Sequence, residues 1–202
     1  MKILLIRHGQ TDWNLKGHIQ GQKDVRLNKK GREQATSTAQ KLKKEKIFHI
    51  FSTDLKRGKE TAEIINQYHN VEISIDKRLR EKEYGVWVGK TWDQIFEEIP
   101  EFMEHAKENP LTWHAPGGET MSQLFERLFK FLKDLKDFIL DYKPKKGHNN
   151  SNILIVSHNS PIRCILSLAK GLKPHEYQKT GHVKNSEIHK LTKEQLFELD
   201  LE

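Results

Sequence analysis

Three short apolar segments of this chain each end in polar residues, and this repeated pattern constrains the fold more than any other feature. The segments are residues 3–6, 47–51 and 153–156. The polar ends that follow them are Arg7-His8, Ser52-Thr53-Asp54 and Ser157-His158. Continuous apolar runs of this length are typical of strands buried on both faces of a parallel sheet. Because ligands of such sheets bind just past the carboxyl ends of the strands, the sequence predicts that the three polar ends meet at one edge.

Segments with helical periodicity lie between the predicted strands. A helix is predicted over about 31–46, with Asn28 as its cap. Thr120 and Gln123 form a capping box ahead of a long amphipathic helix, and a further helix is predicted over about 161–170. Strands that alternate with helices predict an α/β fold, here a three-layer αβα sandwich with a mostly parallel central sheet.

The remaining segments are predicted to form edges and loops of one domain. Residues 71–75 alternate with period two and are predicted to be an outer strand, and the tail from Glu187 onwards is expected to add one or two edge strands. Repeated glycine and proline in residues 82–118 predict a short irregular lid of loops and short helices. Residues 143–152 are predicted to be a polar surface loop. We expect a single domain over residues 1–202.

Composition and charge limit the class of protein and of partner. No run approaches the roughly 18 apolar residues of a membrane span, and no secretory signal is recognisable. Cys164 is the single cysteine, which fits a reducing compartment, so we expect the cytoplasm. The formal net charge of +7 favours anionic partners. We expect a small phosphorylated substrate and neither a nucleic-acid nor a membrane partner, because no nucleic-acid-binding motif is present.

Two arginines and two histidines are predicted to gather at the common sheet edge. Arg7 and His8 follow the first strand, Arg57 lies one turn beyond the second, and His158 follows the third. Such groups would repel one another unless an anion lay between them, and a phosphoryl group suits that place. Glu81, at the start of the lid, is placed to reach over the same pocket.

The order of these motifs resembles the histidine phosphatase superfamily, also called the phosphoglycerate mutase-like family. Its opening block is matched by Arg7-His8-Gly9 with Thr11 and Asn14. The second block is matched by Gln20-Gly21, Asp24, Leu27, Gly31 and Gln34-Ala35, and the third by Leu55, Arg57, Thr61 and Ala62. The fourth block, which carries the acid, is matched by Leu79-Arg80-Glu81, Tyr84-Gly85, Trp87, Gly89 and Lys90. The last two blocks are matched by Gly117-Gly118-Glu119 and by Ser157-His158. The resemblance spans about residues 2–191.

The resemblance implies a covalent, two-step phosphoryl transfer. The implied catalytic residues are His8, Glu81, Arg7, Arg57 and His158. The implied substrate-binding residues are Asn14, Gln20, Gly21 and Asn159. His8 would attack phosphorus, and Glu81, in preference to Glu83, would exchange protons with the leaving oxygen and with water. The arginines would supply fixed positive charge, so no metal and no other cofactor is expected.

The histidines show one departure from the family pattern and no spacing that is typical of a metal site. His158 is followed by Asn159-Ser160, where the family often has glycine, which is a departure at a backbone contact to phosphate. The other histidines show no metal-ligand spacing and are predicted to lie at the surface or the pocket rim. They include His49, His105, His114 and His182.

Within the family, the sequence favours a phosphatase over a phosphoglycerate mutase, which stays as the alternative. Similar mutases carry Glu and Ser where this chain has Gln10 and Thr11, and an Arg-His pair where it has Lys82 and Glu83. Their long lid carries an arginine pair for the substrate carboxylate, whereas residues 82–118 contain no arginine. A pocket without these anchors is expected to hold a transferable acid poorly and to admit water.

The sequence leaves the substrate and two further questions open. The lid carries a largely aromatic set that could pack on a leaving group or form a small core of its own. The set is Trp87, Trp92, Phe102, Met103, Trp113 and His114. The lysine runs allow a different reading, a basic binding module with an inactive pocket. The oligomeric state is not determined by the sequence.

Overall fold

The computed structural model describes residues 1–143 and 151–201, and its centre is a five-stranded sheet in the order β3-β2-β4-β1-β5. The strands are β1 (Lys2–Arg7), β2 (Ile47–Ser52), β3 (Ile73–Ile75), β4 (Asn152–Ser157) and β5 (Ile188–Thr192). The first four strands are mutually parallel, and β5 pairs antiparallel with β1. The prediction of a mostly parallel sheet is confirmed.

Helices cover both faces of this sheet. They are α1 (Asp12–Leu15), α2 (Lys29–Leu42), α3 (Lys56–Asn66), α4 (Trp92–Glu98), α5 (Phe102–Glu108), α6 (Met121–Asp141), α7 (Asn159–Ala169) and α8 (Lys193–Phe197). Leu4 and Ile6 pack in one core with α2 and α3, whereas Ile3 and Leu5 pack in another with α6 and α7. This division follows from the alternation of side chains along a strand. The three-layer αβα architecture is thus the one predicted.

Several element boundaries follow the capping residues named above. The Asn28 side chain accepts the Gly31 N–H at 2.8 Å, and Thr120 and Gln123 form a capping box at the start of α6. α2 ends at Leu42, earlier than the predicted limit near residue 46. α7 begins two residues earlier than predicted, because Pro161 lies in its first turn, where no helical N–H bond is lost.

Residues 82–118, the segment predicted to be a lid, consist of short elements around a small core of their own. A 3₁₀ helix (Gly85–Trp87) precedes α4 and α5. Trp87, Ile95 and Phe102 are buried together, with Trp113 packed against them. The alternative that these aromatic residues form a local core therefore holds for Trp87, Phe102 and Trp113. Met103 is exposed.

One histidine prediction is wrong. His49 is neither at the surface nor at a pocket rim, because β2 lies between β3 and β4 and both of its faces are covered. Its Nε2 lies 2.9 Å from Ser74 Oγ, and its ring packs on Phe51 and Phe138. His114 is exposed, as predicted.

The structure describes only part of the predicted polar loop, and it allows the helices to be checked for membrane-spanning length. Most of the predicted polar loop, residues 144–150, lies outside the described residues, and Asn152 already belongs to β4. Within the described ranges, no helix is both long and apolar enough to span a bilayer.

Candidate active site

The carboxyl ends of β1, β2 and β4 lie side by side at one edge of the sheet. Arg7 is paired with Ser157 across the β1–β4 ladder, and Ser52 is paired with Val156 across the β2–β4 ladder. The His8 N–H donates to the Ser157 carbonyl at 3.0 Å, which continues the β1–β4 pairing by one residue. The parallel sheet therefore brings the three polar strand ends together.

A cavity of about 270 Å³ opens at this edge. The predicted site residues that line it are Arg7, His8, Asn14, Gln20, Gly21, Arg57, Glu81 and Asn159. His158 is fully buried instead, with its ring centroid 5.0 Å from that of His8. The structure thus gathers all of the predicted residues around one point, with the buried His158 ring next to that of His8.

The His8 imidazole is oriented as a neutral nucleophile would be. Its Nδ1 lies 2.7 Å from the Gly9 carbonyl, which can only accept, so Nδ1 carries the proton and Nε2 carries the lone pair. The Arg57 Nε–H donates to this Nε2 at 3.3 Å. Burial, followed by the charges of Arg57 and Arg7, holds the pKa of His8 well below its usual 6.5.

Arg57 is held rigidly by backbone carbonyls. Its Nη1 donates to the Lys23 carbonyl and its Nη2 to the Gly21 carbonyl, both at 2.7 Å. Burial lowers the pKa of Arg57 to about 10, so it remains charged at neutral pH. The loop after α1 therefore aims a fixed cation at His8.

Arg7 is positioned by the segment before β5. Its Nη1 donates to the Val183 carbonyl at 2.6 Å and lies 2.7 Å from His182 Nε2. Its Nε is buried and has no acceptor among the residues that the structure describes. Burial lowers the pKa of Arg7, and the charges of Glu81 and Tyr84 oppose that effect.

His158 carries two buried ring nitrogens that have no hydrogen-bond partner among residues 1–143 and 151–201. Burial, then the charges of Arg57, His8 and Arg7, hold the pKa of His158 well below 6.5. Buried polar atoms are nearly always paired, and the unpaired Nε of Arg7 lies in the same region. An oxyanion between these groups would satisfy both.

The geometry distinguishes Glu81 from Glu83. Glu81 lines the cavity, where its Oε1 accepts the backbone N–H groups of Lys82 and Ser160 at 2.8 and 3.2 Å. Glu83 instead accepts the N–H groups of Tyr84 and Gly85 and does not line the cavity. The choice of Glu81 as the acid candidate therefore agrees with its position.

The predicted substrate-binding residues lie at the mouth of the cavity. The Asn14 Oδ1 accepts the Thr11 N–H at 3.1 Å, an arrangement that leaves its NH₂ group for other contacts. The Gln20 Oε1 is buried, and no described residue donates a hydrogen bond to it. Gly21 has a φ of +51°, a left-handed conformation that favours glycine. The Asn159 Oδ1 accepts the Val183 N–H at 3.0 Å.

Sequence reasoning missed the part of the wall that follows the 3₁₀ helix Pro174–Thr180. Asn185 donates through Nδ2 to the His8 carbonyl at 2.9 Å, and His182 contacts Arg7 as described. His182 matches its predicted place at the pocket rim. No motif indicated that these two residues support Arg7 and His8, since they lie in a loop without periodicity.

The sequence of this chain matches a known protein family and is similar to a protein of that kind. A sequence profile of the histidine phosphatase superfamily (branch 1) matches residues 3–196. A probable phosphoglycerate mutase of Escherichia coli is 33% identical over 172 residues, which are 85% of this chain and 76% of that protein.

Solved structures of phosphatases are similar to this chain over nearly all of its length. Mycobacterial glucosyl-3-phosphoglycerate phosphatase, in complex with VO3, is 28% identical with a TM-score of 0.83. The match covers 95% of this chain and 90% of that one. Phosphoserine phosphatase of Entamoeba histolytica, in complex with 3-phosphoglyceric acid, is 28% identical with a TM-score of 0.74, over 94% and 89% of the two chains.

Proposed function

We propose that this chain, which belongs to the histidine phosphatase superfamily, hydrolyses small phosphomonoesters through a phosphohistidine on His8. The observation that carries this proposal is the neutral His8 ring, whose Nε2 lone pair lies beside Arg57 in a cavity also lined by Arg7. A buried nucleophile among fixed cations is what transfer of an anionic group requires, because positioning and electrostatics dominate phosphoryl transfer.

In the first step, His8 Nε2 attacks phosphorus and the bond to the leaving oxygen breaks. Glu81, in its acid form, gives its proton to that oxygen, so the alcohol leaves uncharged. Arg7, Arg57 and His158 donate to the phosphoryl oxygens as negative charge shifts onto them. The product is a phosphohistidine and a free alcohol.

In the second step, water hydrolyses the phosphohistidine. The Glu81 carboxylate takes a proton from the water as its oxygen attacks phosphorus, and the phosphorus–nitrogen bond breaks. Inorganic phosphate leaves, and His8 returns to its neutral form with the proton still on Nδ1. Asn14, Gln20, Gly21 and Asn159 line the entrance and would contact the substrate.

We also propose that the chain acts as one domain, with residues 82–118 as a lid over this cavity. The arginines give the site its fixed positive charge, so we expect turnover without a metal ion. The free, buried Cys164 suits a reducing compartment such as the cytoplasm. A small phosphorylated molecule is the partner that the size and charge of the cavity favour.

Phosphoglycerate mutase activity is the second candidate, because the chain is similar to a probable phosphoglycerate mutase. Against it, residues 82–118 contain no arginine to hold the carboxylate of a transferable acid. The similar solved structures named above are phosphatases. We therefore expect hydrolysis to exceed transfer.

The test is phosphate release from p-nitrophenyl phosphate in excess chelator, with His8→Ala and with His114→Ala as an exposed histidine control. We expect turnover in the unmodified protein and in His114→Ala, and none in His8→Ala. Glu81→Gln should slow both steps, and acid-quenched protein should carry an acid-labile phosphate on His8 by mass spectrometry. Turnover that survives in His8→Ala would contradict the proposed nucleophile, and turnover that needs a metal would contradict the proposed mechanism.

A further inference from the structure

A second cavity, of about 430 Å³, lies next to the catalytic one. Tyr84 and Trp92 line both cavities, so the two share a wall. Half of the residues that line the second cavity are aromatic. Its other aromatic residues are Trp87, Phe96, Phe102, Trp113 and Tyr177. Flat side chains arranged in this way suit a flat or apolar ring.

The position of Glu81 places this second cavity on the side of the leaving group. Lys82, which directly follows Glu81, lines the second cavity. Ser160 lines it too, and the Ser160 N–H is one of the donors that hold the Glu81 carboxylate. In the proposed function, Glu81 protonates the leaving oxygen, so the alcohol part of the substrate must lie beside Glu81. The second cavity begins there.

The polar groups in this aromatic wall are donors and cations. Lys82 is only 5% exposed, and its Nζ lies 4.8 Å from the centroid of the Tyr84 ring. Among the described residues, no carboxylate lies within 4.0 Å of this Nζ; the charges of Glu119, Glu81 and Glu83 act on it from farther away. Arg163 Nε and Trp113 Nε1 are buried donors for which the described part of the chain offers no acceptor.

The described residues that line the second cavity include no aspartate and no glutamate. Lysine is almost never buried unless it is paired, because removing its charge from water is costly. A cavity with two cations, an unpaired indole N–H and no carboxylate is therefore complementary to an anion. The aromatic side chains beside these cations favour an anion that is carried by a flat ring.

We propose that the second cavity binds the alcohol part of the substrate, and that this part combines a flat ring with a second anionic group that contacts Lys82 and Arg163. The inference rests on the proposed function and names its substrate class. A simple phosphorylated alcohol would fill the catalytic cavity and leave the aromatic one unused.

The test compares 2-naphthyl phosphate with 6-carboxy-2-naphthyl phosphate, which differ by one carboxylate. We expect kcat/KM to be about tenfold or more higher for the carboxylated ester, as for a charge-assisted hydrogen bond. Lys82→Met should remove this preference. The ratio of the two esters within one variant is the readout, because any effect of Lys82→Met on the neighbouring Glu81 applies to both esters and cancels.

Lys193→Met is the matched control, since Lys193 Nζ also lies over an aromatic ring, 5.3 Å from the Phe197 centroid, but outside both cavities. It should keep the preference. Arg163→Met provides a second variant should Lys82→Met fail to fold, and it should reduce the same ratio. Equal kcat/KM values for the two esters in the unmodified protein would overturn the inference and leave the proposed function standing.

Calorimetric titration separates the inference from the proposed function. 2-Naphthoate should bind more tightly than the uncharged 2-naphthalenemethanol, and Lys82→Met should abolish the difference. If neither ester is hydrolysed but this binding preference is present, the proposed function fails and the anion-binding cavity holds. If the two compounds bind equally, the cavity assignment is wrong whatever the turnover.

Discussion

Arg57 makes three hydrogen bonds that use both edges of its guanidinium group. Two of them reach backbone carbonyls of the loop at residues 21–23, and the third reaches Nε2 of His8. Planar, multiply bonded geometry of this kind belongs to arginine alone, because a lysine ammonium is a point charge on a flexible stem. The position of the Arg57 charge therefore depends on the loop at residues 21–23.

Arg57→Lys should keep the positive charge and still lose activity. We expect kcat for p-nitrophenyl phosphate to fall by roughly 10²–10³-fold, the size of effect seen when one preorganised transition-state donor is removed. Arg32→Lys is the matched control, since Arg32 is exposed and pairs with Glu60 at 2.6 Å away from the cavity. A variant that retains near-normal kcat would show that charge alone, without geometry, is sufficient at this position.

Sequence reasoning located Arg7, His8, Arg57 and His158 because each follows a strand end or its first helical turn, where a parallel sheet places its ligand groups. It could not locate Asn185, whose side chain holds the carbonyl of His8. A residue in an aperiodic loop acquires its neighbours from the tertiary fold, and no local pattern records that contact.

At the scale of elements, the start of α2 lies against the loop that follows β1. A Cβ on Gly31 would overlap the backbone oxygen of Gln10, and a Cβ on Gly9 would overlap the Gly31 carbonyl. The Asn28 N–H also donates to the Gln10 carbonyl, at 3.0 Å. The backbones meet directly here, so α2 sets the position of the loop that carries His8.

We expect Gly31→Ala to lower the free energy of unfolding, although replacing glycine by alanine in a helix usually raises it. Alanine in place of helical glycine normally stabilises by about 1 kcal/mol, but the collision with Gln10 should destabilise by about 1–3 kcal/mol. Urea unfolding measures the change, and kcat should fall with it because the loop after β1 must shift. Ser37→Ala, on the exposed side of the same helix, is expected to be neutral or mildly stabilising. A stabilised Gly31→Ala would contradict the close approach.

A side-chain cap made the first residue of a helix predictable from the sequence, and the lack of such a cap left it unpredicted. Asn28 predicted the start of α2 because a side-chain acceptor at that position satisfies a free N–H of the first turn. His158 makes no such side-chain bond, so nothing local indicated that α7 begins at Asn159. β4 ends at Ser157, and only His158 separates it from this helix, whose first turn includes Pro161.

The whole molecule buries histidines in their neutral form, which couples its stability to pH. Burial is the first cause of a lowered pKa in each case. His8, His49 and His158 are buried, whereas His69 is half-buried and His182 lies exposed at the pocket rim. Below their usual pKa of 6.5, the unfolded chain binds protons that the folded chain does not, so unfolding becomes more favourable as the pH falls.

We therefore expect the free energy of unfolding to fall between about pH 7 and about pH 5.5, by up to about 1.4 kcal/mol per pH unit for each of the fully buried His8 and His158, and by less for the other three histidines. Urea unfolding across this range measures the slope. His158→Gln should flatten it by about one proton, whereas His114→Ala, at an exposed site, should leave it unchanged. A stability that is constant over this range would mean that these histidines take up protons in the folded state.

The sheet order has a consequence for how the molecule is made. β1 is synthesised well before its neighbours β4 and β5, since Ile3 lies opposite Ile153 on one side and Leu191 on the other. A ribosome that stops before residue 152 would release a chain with His8 and Arg57 but with no strand beside β1. Such a fragment would expose unpaired strand edges and depend on chaperones to avoid aggregation. Catalytic competence therefore comes late, when the last strands of the sheet are in place.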